Sequence, residues 1–153
     1  QPIISYNYGA GKKDRVKGAF KLLLKSSMVY AALLWIAVML FPQLFAGMFT
    51  SDPALLDFTK TALRIYLAAM FIFGIQMACQ LTFMSLGNAK ASIVVAVMRK
   101  FILLIPLIFI MPAILKINQT MAVYLAEPIA DILAVCFTIV LFRRELKKAL
   151  SKI

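Results

Sequence analysis

The stretch TMAVYLAEPIADILAVCFTIVLF, residues 120–142, decides the fold. Its 23 residues exceed the roughly 20 that an apolar helix needs to cross a bilayer. Yet Glu127 and Asp131 stand near its middle, with Pro128 between them. A carboxylate at membrane depth is costly, so it is retained for a task and turned toward a bundle interior or a wet cavity. On a helix the two acids share one face, about one turn apart. Pro128 has no N–H, so the carbonyl of Tyr124 loses its helical partner and the helix is expected to kink there. The stretch reads as an ion or substrate site in a membrane bundle. Asp131 and Glu127 are its candidates for cation coupling or substrate binding.

Composition agrees with a membrane setting. The chain has 153 residues, 63% of them hydrophobic, and a mean hydropathy of +0.93. Soluble domains lie nearer ~45–50% apolar. The net charge of +11 would suggest nucleic acid in a soluble protein. Here the cations sit in blocks between apolar runs with no interleaved aromatics, so membrane orientation accounts for them and no nucleic-acid partner is expected. There is no histidine, which excludes a His-based triad or zinc site within the chain. Cys79 and Cys136 fall inside apolar runs without metal or disulfide spacing and read as small buried hydrophobes. An enzyme needs a convergent nucleophile, base or metal, and none is apparent. No cofactor or metal is expected. The chain begins at Gln1 without a signal-peptide pattern and is expected to be a piece of a longer protein.

Upstream of the acidic run, three more spans are legible. Phe101–Leu115 is uncharged but only 15 residues long, too short at ~1.5 Å per residue for a ~30 Å hydrocarbon core. That helix must start near Ser92 and bring Arg99 and Lys100 partly into the membrane. Two accounts are open for these cations. They snorkel to the near interface, or they face a cavity and pair with an acid of another helix. Pro106 and Pro112 are tolerated in such a helix.

The run 65–89 is also uncharged. Gln76 and Gln80, four apart, give it a polar stripe suited to interhelical hydrogen bonds or to a polar cavity wall. Asp52 and Pro53 form a helix start, with Asp52 as N-cap. Between Ser26 and Ser51 lie 26 uncharged residues, broken by Pro42, with a short interfacial turn expected over 42–50. Trp35 is mid-span, where it packs on neighbours or faces lipid. Gly9 and Gly11 permit a helix end before a basic block that runs from Lys12 to Lys25. The expected spans are 22–45, 62–86, 92–115 and 120–142. A tight loop over 117–119 joins the last two, and a basic amphipathic tail over 143–153 closes the chain.

Charge gives the orientation. One side carries fourteen cations: six in Lys12–Lys25, then Lys90, Arg99 and Lys100, then five in the tail. The other carries three, Lys60, Arg64 and Lys116. By the positive-inside rule the N-terminal block and the C-terminus are cytoplasmic, which an even number of spans permits.

The segments QPIISYNYGAGKKDR, FTSDP, MSLGNAKAS, RKFILLIP and EPIAD, taken in order, resemble the C-terminal half of a multidrug and toxic compound extrusion (MATE) transporter, closest to the bacterial MepA-like subgroup. The likeness covers nearly the whole chain. It implies an all-α, polytopic transmembrane bundle: four complete spans plus the end of a fifth, part of a twelve-helix, two-lobe transporter. Residues 1–153 would then be a fragment of the C-terminal lobe, with the N-terminal lobe of the same transporter as partner. The implied activity is export of small cationic amphipathic compounds in exchange for Na⁺ or H⁺ across a bacterial inner membrane, among membrane lipids. The match covers Pro128 to Asp131 more closely than Glu127. Two alternatives stand beside it: a polysaccharide or lipid-linked precursor flippase of the same superfamily, and a membrane assembly partner without transport of its own.

Overall fold

The computed structural model describes residues 1–115 and 118–153. Every regular element in it is helical: α1 Pro2–Gly9, α2 Lys13–Leu40, α3 Pro42–Gly47, α4 Pro53–Tyr66, α5 Met70–Ser85, α6 Ala89–Val97, a π-helical stretch Met98–Leu104, α7 Ile105–Ile114, and α8 Gln119–Ser151. α2, the continuous α6–π–α7 rod and α8 are each long and apolar enough to cross a membrane, and the α4–α5 pair adds a fourth if it crosses as one bent unit.

α8 is the hub. Half of its apolar window is buried, against 11% for α2 and 6% for the α6–α7 rod. The reason is a stripe at helical spacing: Ala122, Ala126, Ala130, Ala134, Thr138 and Phe142 are all buried. Small side chains let neighbouring backbones come close, which is how helices associate where hydrophobic burial gives little drive. α4, α5, α6 and α7 all pack on this helix. At one end Phe142 meets Phe83 and Phe20 and joins a buried cluster with Cys79, Ala91 and Val95. α2 reaches the bundle through α5. There an ideal Cβ on Gly74 would lie 2.7 Å from the backbone oxygen of Ser27, so the two backbones touch where only glycine fits.

Local chemistry sets the ends. Asp52 caps α4, its carboxylate accepting from the N–H of Ala54 at 2.8 Å and of Leu55 at 3.3 Å. Asn88 caps α6 by accepting from Ala91 N–H, and Gly87 before it holds φ +73°, a left-handed turn that glycine adopts without strain. Gly11 does the same after α1 at φ +69°.

Several boundaries differ from expectation. The first span ends at Leu40, not residue 45, because Pro42 disfavours helical backbone at Phe41 and starts the separate turn α3. The second span is not one straight helix: α4 and α5 meet at 49°. No proline or glycine marks that bend. It is held by Trp35, whose indole N–H donates to the carbonyl of Ala68 at 3.0 Å, inside the break. The basic tail continues the last span as helix, for α8 runs unbroken through Phe142 to Ser151. Cys136 is exposed rather than buried, since it lies off the alanine face of α8. Of the expected loop 117–119, Ile117 lies outside the described residues, as does Lys116. Asn118 caps α8 and Gln119 begins it.

The third span contains the π-helical stretch. Pro106 cannot donate to the carbonyl of Ile102, and in an α-helix its ring would press on that carbonyl. Widening the preceding turns relieves the conflict, and the Ile105 N–H bonds back to Lys100. The widened stretch holds Arg99 and Lys100.

Candidate functional site

Arg99, on the π-helical stretch, faces α8 across the bundle. Its Nε donates to Asp131 Oδ1 at 2.6 Å and its Nη2 donates to Glu127 Oε1 at 2.9 Å. One guanidinium therefore spans the two acids that lie a turn apart on α8, using the fork of donors peculiar to arginine. Lys100 Nζ reaches the same Glu127 oxygen at 3.4 Å. The two carboxylate side chains are each 8% exposed and Arg99 15%, whereas Lys100 is half exposed. Of the two accounts left open for these cations, pairing with acids of another helix describes Arg99. The lysine pairs from the rim.

Aromatic rings surround the cluster. Phe73 of α5 lies under the guanidinium, its ring centre 4.7 Å from the Arg99 carbon, a cation–π contact. Tyr124, one turn before Glu127, stacks edge-on with Tyr66 at 6.2 Å and meets Phe58 at 6.3 Å. The side chains of Phe73, Tyr66 and Tyr124 were not among the sequence-derived candidates. Tyr124 carried a signal, its spacing of three from Glu127. Phe73 carried none, because only the packing of α5 on α8 brings it there.

Pro128 lies inside α8 and is buried. The helix continues through it, and the carbonyl of Tyr124 lacks its helical donor beside the acids. Gln76 lies three residues beyond Phe73, hence on nearly the same face of α5. It is 2% exposed, and its Oε1 is buried with no hydrogen-bond partner. Gln80 is half-buried. Among the described residues neither glutamine makes the expected interhelical side-chain hydrogen bond. α5 meets its neighbours there through small and apolar side chains such as Gly74 and Ala78, which offer no partner.

The cluster holds two cations and two acids, so its formal charge is balanced. Among the described residues no group of three or more His, Cys, Asp or Glu side chains converges on a metal position. Arg99 occupies Oδ1 of Asp131, so a further cation reaching this carboxylate meets the guanidinium beside it. A proton on Asp131 would weaken the same contact.

Residues 1–110 match the MatE family. The chain is 30% identical over 106 residues to an FAD transporter of Shewanella oneidensis, covering 69% of this chain and 24% of that protein. It is 28% identical over 113 residues to the multidrug export protein MepA of Staphylococcus aureus strain N315, covering 74% of this chain and 25% of that protein. The chain thus spans about a quarter of the length of the curated relatives it matches. Among solved structures it superposes on the MATE multidrug transporter DinF-BH with a TM-score of 0.81 and 32% identity, over 91% of this chain and 30% of that one. An inward-facing multidrug resistance MATE transporter of the MOP superfamily shares the fold at a TM-score of 0.88 and 18% identity, over 98% of this chain and 34% of that one.

Proposed function

Because the chain belongs to the MatE family of membrane transporters, we propose that it supplies part of the C-terminal lobe of a multidrug efflux antiporter. In this reading it sits in a bacterial inner membrane with its C-terminus cytoplasmic. An N-terminal lobe of the same transporter packs against it. The two lobes rock between inward-open and outward-open forms around a central cavity, exporting cationic amphipathic compounds in exchange for Na⁺ or H⁺. The names of the MepA and DinF-BH relatives support multidrug export, and the charge bias supports the orientation. Setting aside Arg99 and Lys100, which lie inside the third apolar rod, twelve cations still face three.

The observation that carries the mechanism is the buried bridge from Arg99 to Asp131 and Glu127. Arg99 acts as a tethered counter-ion. When the coupling ion reaches Asp131, the guanidinium is released toward Phe73 and the rim, and the contact between the π-helical stretch and α8 loosens. When the ion leaves, the bridge re-forms.

The test is ethidium efflux by cells expressing the full-length protein, wild type against Asp131→Asn, with the Na⁺ and H⁺ gradients collapsed separately. The expected outcome is efflux that fails with one gradient and falls at least about ten-fold in the variant, as for loss of a group worth ~1.4 kcal/mol or more in the cycle. Efflux unchanged in Asp131→Asn would return the bridge to a purely structural role. The similarity to an FAD transporter favours a second cargo class, flavin nucleotides. Extracellular flavin that rises with expression, with ethidium unmoved, would select it. Absence of both would favour a lipid-linked precursor flippase or a non-transporting assembly partner.

A further inference from the structure

α2 and α8 both pack on α5, and near the basic end they leave a groove between them. Cys79 of α5 lies in its floor. Phe20 and Leu24 of α2 form one wall, and Ile139 and Phe142 of α8 the other. The rings of Phe20 and Phe142, 4.5 Å apart between centres, join the walls. The cavity measures about 360 Å³, within the ~300–1,000 Å³ of small-molecule sites. Its one charged lining residue is Arg143, the first residue after the apolar run of α8 and so at headgroup level.

Arg143 makes no ion pair among the described residues. The acids at this end are engaged elsewhere: Asp14 with Lys17 at 3.8 Å and Glu145 with Lys148 at 2.8 Å. Lys21 and Lys25 follow Phe20 and Leu24 directly on α2. An apolar trough thus ends on a free guanidinium in a strongly basic surround.

We propose that this groove is a binding site for an anionic glycerophospholipid, with one acyl chain between α2 and α8 and the phosphate on Arg143. A guanidinium pairs two-pronged with phosphate oxygens, and basic surfaces beside membrane helices attract anionic headgroups. A zwitterionic lipid fits the trough equally but presents an ammonium to a cationic end. The unpaired guanidinium of Arg143 at the end of the trough therefore selects the anionic headgroup.

The experiment places photoreactive benzoylphenylalanine at Leu146, a groove residue, in the full-length protein. Vesicles contain equal parts phosphatidylglycerol and phosphatidylcholine. After irradiation, lipid adducts are identified by mass. Phosphatidylglycerol adducts should exceed phosphatidylcholine adducts about five-fold, the preference that one cation beside an anionic headgroup carries. Arg143→Gln should bring the ratio to about one, while Arg144→Gln, which removes the same charge outside the groove, should leave it. Equal adducts with Arg143 intact would overturn the proposal. So would equal loss in both variants, which would assign the enrichment to the basic surface as a whole. Cross-links to protein in place of lipid would also overturn it, by showing the groove covered by a neighbouring helix.

Discussion

Arg99 holds Asp131 and Glu127 with two different nitrogens of one side chain, so its removal strands Asp131 and leaves Glu127 only Lys100, at 3.4 Å. Breaking a buried pair by deleting one partner typically costs ~3–5 kcal/mol, largely because the remaining charge is left uncompensated. Arg99→Gln should therefore lower the unfolding temperature of the detergent-purified full-length protein by several degrees. Adding Asp131→Asn to Arg99→Gln should restore part of that loss, since one stranded charge disappears. Equal temperatures for the single and double variants would show that Asp131 does not depend on Arg99. The participants of this cluster were legible from the chain alone for a simple reason: charges interrupt apolar runs only where something answers them. The run after Lys100 is too short to cross a bilayer, and the run around Asp131 is long but acidic. What spacing could not give is the bridging geometry, which depends on how two separate helices dock. The groove at Arg143 was likewise illegible, because its walls come from three elements distant in sequence.

At the scale of elements, Gly74 is the point where α2 and α5 touch. A methyl group there would press on the Ser27 carbonyl at 2.7 Å, and neither backbone yields easily. Gly74→Ala should destabilise the lobe by about 1–3 kcal/mol, the usual range for overpacking, read as a lower denaturation temperature with α2 more accessible to proteolysis. Gly18→Ala, with open space around the added carbon, is the control and should be neutral or mildly stabilising, because alanine favours helix more than glycine does. Helix existence, the Asp52 cap and the helix end at Gly11 all follow from local residue chemistry, so the sequence revealed them. The bend between α4 and α5 did not show, since the group that answers the Ala68 carbonyl in the break is Trp35, 33 residues away. The alanine stripe of α8 was readable in principle: a period of four from Ala122 to Phe142 marks the buried face, with no large apolar residue on it before Phe142.

Across the molecule, charge is segregated by end, and the basic end is tied together by one acid. Glu145, in the extension of α8 beyond the apolar run, accepts from Lys148 at 2.8 Å and from Asn88 at 3.1 Å. The Lys148 hydrogen bond, with a smaller share from Asn88, holds its carboxyl below the usual carboxylate value. A depressed folded pKa contributes stability that is present above the unfolded value and lost as pH falls through the folded one. Acidification below the ordinary carboxylate range should therefore loosen the turn at Gly87–Asn88 from α8. Amide exchange at Ala91 faster than its intrinsic pH trend would register this, and Glu145→Gln should flatten the response. The unbroken length of α8 and its union with the rod that carries Arg99 bear also on how the protein is made. The ribosome delivers Arg99 first and Asp131 32 residues later, about two to six seconds behind at ~5–20 residues per second. A lone arginine at mid-membrane is disfavoured by about 2.5–3.5 kcal/mol at insertion. The third span should thus insert poorly until the fourth arrives, and the two are expected to enter the bilayer as a hairpin whose halves neutralise each other on the way in.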